Sequence, residues 1–300
     1  MAKTVLVTGA SGFIGSHLTG ALAAAGHEVR AMTRHPERYR GAGSPVPGDV
    51  ADPDSLDEAL AGTDAAYYLV HSLGSDDFEQ RDAQAARNFA AAAGRADLER
   101  IIYLGGLGSD EAELSPHLRS RRTVERLLAA GPVPVTVLRA AVVIGHGSIS
   151  WEMTRQLIDH LPLLVTPRWV KTRTQPIALP DVIRYLVGVL EPEAARGRVF
   201  DIGGPDVLRY IDMLQRAAAA QGKSAPNLTV PFLTPRLSSA WLALVTSVDV
   251  ATARNLVDSM INEVVVTNHG IEDVVPGPTI GYDESVRLAL AEREEEQTTR

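Results

Sequence analysis

The 300-residue chain contains no cysteine, which excludes disulfides, thiolate zinc sites, iron–sulfur clusters and cysteine nucleophiles together. It has no excess of positive charge: 37 acidic against 29 basic residues give a net charge of −8. That balance argues against nucleic-acid or membrane partners but leaves room for a local basic pocket. Long apolar runs are also missing. The richest, Leu237 to Val248, carries Ser238, Ser239, Thr246 and Ser247 and is shorter than the roughly 20 residues of a spanning helix. The start, MAKTVLVTGA, lacks the pattern of a secretory leader, so a cytoplasmic location is expected. There is no internal repeat, and HExxH, phosphate-loop lysine and GxSxG motifs are absent, which removes metalloprotease, phosphate-loop NTPase and serine-hydrolase readings. No metal site is expected.

Short β-branched runs alternate with Ala- and Leu-rich stretches, the rhythm of βαβ units and a parallel sheet. Strands are predicted at Thr4–Thr8, Glu28–Met32, near Val46, Ala65–Val70, Arg100–Leu104 and Val135–Leu138. Helices are predicted at Phe13–Ala25, Pro53–Ala61, Phe78–Gly94 and Pro116–Ala130. The fold class is therefore α/β, a Rossmann-type doubly wound parallel sheet, with a dinucleotide-binding domain over residues 1–145. Beyond Gly145, Pro162, Pro167, Pro176 and Pro180 interrupt the pattern. Residues 146–300 are expected to form a smaller substrate and carboxyl-terminal region packed on the sheet, without a clean linker. A strand Val199–Ile202, a helix Tyr210–Ala220, an apolar helix near Leu237–Thr246 and a strand Glu263–Val266 are expected there, and the tail AEREEEQTTR reads as a solvated helix end.

The sharpest signal is Thr8-Gly9-Ala10-Ser11-Gly12-Phe13-Ile14-Gly15 between the first strand and first helix. Gly9 allows a sharp turn, Gly12 lets backbone approach a pyrophosphate, and Gly15 lets helix and strand pack closely, with the helix amino terminus facing negative charge. A NAD-preferring site usually carries Asp or Glu at the end of the second strand. This chain reads Ala31-Met32-Thr33-Arg34-His35 there, and the fork of donors on Arg34 suits a 2′-phosphate, so NADP(H) is preferred over NAD(H). Asp49 and Val50, after the third strand, are placed for the adenine edge, although Asp49 is equally readable as a turn residue.

This arrangement resembles the extended branch of the short-chain dehydrogenase/reductase superfamily, whose turn reads TGxxGxxG. More closely it is similar to the atypical, NmrA-like NAD(P)H-binding members. Also part of the resemblance are Gly48-Asp49-Val50, Ala66 to Ser72, Ala86-Arg87-Asn88-Phe89, Ile101 to Gly106, Gln175-Pro176-Ile177 with Asp181-Val182, and Ile202-Gly203-Gly204-Pro205. It implies a cofactor cleft built from strand ends, including the loops that hold Val70 and His71, and Leu104 and Gly105.

Active members of that superfamily use a Tyr-x-x-x-Lys pair and a serine. At the matching positions this chain has His117 for tyrosine, Arg121 for lysine, and Gly105-Gly106 where the serine is expected. Two readings stay open. His117 acts as general acid or base with Arg121 supporting the ribose or an oxyanion, or both are ordinary polar residues of a structural helix. Tyr103 is the first alternative phenol to test, although strand tyrosines commonly pack. His71 and His146 lie in loops at strand ends, and Arg168-Trp169 with Lys171-Thr172-Arg173 forms a small basic run.

Together these readings predict an NADPH-dependent oxidoreductase acting on a small carbonyl, quinone or conjugated alkene, with protonation by His117 or by solvent. The alternative is a non-catalytic NADP(H)-binding sensor or scaffold. A nucleotide-sugar epimerase or dehydratase ranks last, because it needs the missing tyrosine chemistry. The expected partner is a small-molecule substrate, and self-association is left open.

Overall fold

The structure, a computed structural model, describes residues 2–72, 74–75, 77–109, 113–160, 164–166, 168–229 and 250–299. Its centre is a seven-stranded sheet in the order β11-β6-β5-β4-β1-β2-β3. The strands are β1 (Thr4–Thr8), β2 (Glu28–Thr33), β3 (Ser44–Pro47), β4 (Ala65–Tyr68), β5 (Arg100–Gly106), β6 (Val135–Ala140) and β11 (Val199–Ile202). Every neighbouring pair is parallel, so all carboxyl ends open on one edge, where such sheets bind ligands.

Both faces are covered, which explains why the strands are apolar without strict alternation. On one face lie α1 (Phe13–Ala24) and α6 (Leu179–Gly188), over a core that includes Val5, Val7, Leu18, Leu22, Tyr67 and Val182. The other face carries α2 (Pro53–Leu60), α3 (Phe78–Arg95) and α4 (Pro116–Ala129), packed through Leu56, Phe89, Tyr68, Tyr103 and Val124. Asp52 caps α2 by accepting from the Asp54 amide at 3.2 Å, ahead of Pro53. Ser115 caps α4 in the same way, accepting from Leu118 at 3.3 Å ahead of Pro116.

The chain beyond residue 145 completes this layer rather than standing beside it. β11 forms the sheet edge against β6, and α6 packs on α1. Around these sit β7 (Val143–Ile144), α5 (Ile149–His160), β8 (Leu164–Thr166), β9 (Arg173–Thr174), β10 (Ile177–Ala178), β12 (Leu208–Arg209), α7 (Tyr210–Ala220) and β13 (Asn227–Thr229), with α8 (Val250–Ser259) and α9 (Tyr282–Thr299) closing the chain. Trp151, Tyr210, Ile211, Tyr282 and Val286 form a separate core there.

Two expectations change. The strand expected at Glu263–Val266 is reduced to a single bridge between Thr174 and Val264. Its polar groups are taken elsewhere: Val266 donates its amide to Gln175 Oε1 at 3.0 Å, and the Glu263 carboxylate binds Arg173. β4 ends at Tyr68, short of Val70, because the Leu69 amide donates to the Thr8 hydroxyl at 3.0 Å instead of to a neighbouring strand. The helix expected near Leu237–Thr246 lies outside the described residues. No described helix is long and apolar enough to cross a membrane.

Candidate functional site

The glycine turn sits at the carboxyl end of β1 and opens into α1. Gly9 has φ +65, and a Cβ on it would lie 3.2 Å from the Leu69 carbonyl oxygen. A Cβ on Gly15 would collide with the Gly9 carbonyl oxygen and come within 2.8 Å of the Ala10 Cα. The turn and the first helical turn are thus pressed together, and only glycine fits at either position. The Gly12 amide closes the turn by donating to Gly9 oxygen at 2.9 Å. Ser11 and Gly12 are exposed, Phe13 and Ile14 are half-buried, and no acidic residue occupies the first turn of α1. This leaves a helix amino terminus open to an anion in a cradle that a side chain would fill.

Strand register brings the next residues to the same edge. Met32 pairs with Thr8 and Val46 pairs with Met32, so Arg34, two residues past Met32, stands beside the glycine turn. It is exposed and makes no hydrogen bond or ion pair among the described residues. Asp49 turns inward on its own loop, accepting from the Ala51 amide at 2.9 Å. Asn88 of α3, a residue given no role from sequence, holds that loop by donating to the Val50 carbonyl at 3.0 Å.

At the ends of β4 and β5 the floor is thin. A Cβ on Gly106 would lie 2.9 Å from Leu118 Cδ2 and 3.4 Å from Arg121 Cγ. Gly106 thereby lets α4 settle directly onto β5. Leu104 packs toward the α1 face, and Val70 is half-buried on the other. His71 is exposed at the end of β4. Desolvation by the neighbouring protein pushes its pKa down to about 4, with Arg121 acting in the same direction and Asp82 opposing.

His117 and Arg121 lie one helical turn apart on α4, but their surroundings differ. Burial pushes the His117 imidazole down to about 3, with help from Arg121 and then His71. A ring of this kind is neutral at physiological pH and holds no proton to give as imidazolium. Arg121 is buried and paired with Asp82 of α3 at 3.3 Å, and Ser120 donates to the same carboxylate oxygen at 3.0 Å. Arg121 is therefore engaged within the protein. Tyr103 is the phenol that the sequence offers first as a substitute. It is wholly buried beneath α4, its hydroxyl donates to the Arg121 carbonyl at 3.2 Å, and burial raises its pKa to about 12.

Asp82 went unnoticed in the sequence, although the signal was there. It is a carboxylate in register with Phe78, Ala85, Ala86 and Phe89 on the buried face of α3. His146 lies apart from this cluster, between Glu152 at 3.2 Å and Glu296 at 2.7 Å, and ties α5 to α9. Of the basic run, Arg173 is exposed and paired with Glu263 at 2.8 Å, and the side chains of Arg168 and Trp169 lie outside the described residues. Among the described residues no cluster of three or more metal-ligating side chains occurs.

Residues 9–156 match a family model described as NAD(P)H-binding. The chain is 32% identical over 151 residues to a (4-alkanoyl-5-oxo-2,5-dihydrofuran-3-yl)methyl phosphate reductase of Streptomyces griseus, a match that covers 49% of this chain and 50% of that protein. The chain thus spans about half the length of the curated relatives it matches. Among solved structures, an NADPH-dependent quinone oxidoreductase of Escherichia coli in complex with NADPH superposes with a TM-score of 0.76 at 19% identity, covering 94% of this chain and 98% of the other. A nucleoside-diphosphate-sugar epimerase of Staphylococcus aureus superposes with a TM-score of 0.77 at 15% identity, covering 95% and 99%. At such identities the likeness is one of fold.

Proposed function

We propose that this chain, whose residues 9–156 match a family model described as NAD(P)H-binding, is an NADPH-dependent oxidoreductase acting on a small acceptor. The observation that carries it is the cradle formed by Gly9 and Gly15 with an open helix amino terminus and an unpaired arginine beside it. Ser11, Gly12 and the first amides of α1 would hold the pyrophosphate. Arg34 would pair with a 2′-phosphate and so favour NADP(H) over NAD(H), Asp49 and Val50 would border the adenine, and the loops of His71 and Gly105 would border the nicotinamide end. The bound dinucleotide would supply hydride transfer.

Around the reacting end, the chain's task is to position and to shield. His117 is neutral and Tyr103 is out of reach, so the proton that completes a reduction comes from water. Quinones and conjugated alkenes or carbonyls suit such a site, because their two-electron reduced forms spread negative charge and wait for a proton at little cost. The same lack of a phenol speaks against the epimerase reading. It also favours, as a second reading, an NADP(H)-binding sensor with no turnover.

Titration with NADPH, NADP⁺, NADH and NAD⁺, followed by acceptor-dependent loss of nicotinamide absorbance, separates these. Tight NADPH binding with quinone-dependent oxidation supports the enzyme. Tight binding without turnover supports the sensor, and absence of dinucleotide binding overturns both.

A further inference from the structure

Ser259, the last residue of α8, lies far in sequence from α4 and yet bonds to its first turn. Its hydroxyl is 2.7 Å from the Asn255 carbonyl oxygen, 3.0 Å from His117 Nδ1 and 3.3 Å from Ser115 Oγ. A carbonyl oxygen only accepts, so the one Ser259 proton is committed to Asn255. To His117 and Ser115 the hydroxyl then offers lone pairs, and each of them must donate. Ser115 meets this requirement, since its oxygen already accepts from the Leu118 amide and its own proton is free for Ser259. The remaining proton must sit on His117 Nδ1. In a neutral ring that leaves Nε2 bare, and Nε2 makes no hydrogen bond among the described residues.

The same segment grips the start of α4 a second time. Asn262 accepts from the Ser115 amide at 2.9 Å and donates to the Glu113 carbonyl at 2.8 Å. Both ends of its amide are thus spent on the backbone that carries His117.

We propose that Ser259 is a positioning residue that holds His117 as its Nδ1–H tautomer, so that Nε2 is a hydrogen-bond acceptor in the cleft for a hydroxyl of the bound substrate or product. The part concerning substrate rests on the oxidoreductase reading; the tautomer does not. With Nε2 as an acceptor, the site favours the hydroxyl-bearing, reduced partner of the reaction and gives no hydrogen bond to a developing oxyanion. Ser259 thereby sets the chemical sense in which His117 takes part.

Nitrogen NMR of the full chain with isotopically labelled histidine tests this without any dinucleotide, using His117→Gln to assign the signal. At neutral pH the wild type is expected to show a protonated Nδ1 and an unprotonated Nε2. Ser259→Ala should shift the ring toward the Nε2–H form, and Ser259→Thr, which keeps the hydroxyl, should restore it. Binding of a hydroxyl-bearing reduced product should weaken roughly fivefold in Ser259→Ala, the equivalent of one lost hydrogen bond, with NADPH affinity unchanged. A wild-type ring protonated on Nε2, or a tautomer indifferent to Ser259→Ala, overturns the proposal. Failure to turn over any acceptor counts against the oxidoreductase reading alone.

Discussion

Arg121 on α4 and Asp82 on α3 form an ion pair at 3.3 Å in which the side chains are only 7% and 3% exposed. Arg121 Nε has no partner in its buried position, so Asp82 carries most of the burden of neutralising that guanidinium. Breaking one side of a buried pair strands the other charge. Asp82→Ala is therefore expected to destabilise the fold by about 3–5 kcal/mol, read as a shift in the midpoint of urea unfolding. A loss below about 1 kcal/mol, the range of an exposed pair, would show that the pair is not sealed from solvent.

Arg34 is exposed and unpaired among the described residues, so its removal should cost little stability. Arg34→Ala is expected to weaken NADPH binding by roughly one to two orders of magnitude, as loss of a charge-assisted phosphate contact implies, while NADH affinity stays nearly constant. Parallel titrations with the two reduced dinucleotides measure the difference. Equal weakening of both would remove Arg34 from recognition of the 2′-phosphate.

Tyr103 donates a single hydrogen bond, to the Arg121 carbonyl, from inside the core. Tyr103→Phe keeps the ring and should cost about 1 kcal/mol of stability with turnover unchanged. A large fall in kcat in a variant that still binds NADPH would reinstate the phenol as a participant.

His117 and His71 titrate in the folded protein at about 3 and about 4, below the ordinary value of 6.5. Between these values the unfolded chain binds more protons than the folded one, so stability rises with pH there. The contribution is complete above about pH 6.5 and is lost as pH falls from there toward 3. Thermal melts across that range should show falling Tm in the wild type and a shallower fall in His117→Gln. Parallel curves would mean that His117 titrates normally.

Much of the framework was legible in the local sequence. The turn from Gly9 to Gly15, the helix starts at Pro53 and Pro116 and the early strands are set by neighbours a few residues apart, where backbone sterics and the fixed φ of proline act. The strand expected at Glu263–Val266 failed because Gln175 and Arg173, some 90 residues away, claim its polar groups. Asp82 was missed because a lone carboxylate on an apolar helix face reads as noise until Ser120 and Arg121 are seen to meet it. Nothing in the linear order links Ser259 to His117, which are 142 positions apart.

By itself, then, the sequence determined a glycine-rich βα turn, a parallel sheet and an arginine at the end of the second strand, since each depends on a short span of chain. Tertiary structure alone decided what His117, Arg121 and Tyr103 can do. Protonation, tautomer and access are set by the groups that surround a side chain, and those groups are brought together by α3, α4, β5 and α8 from separate parts of the sequence.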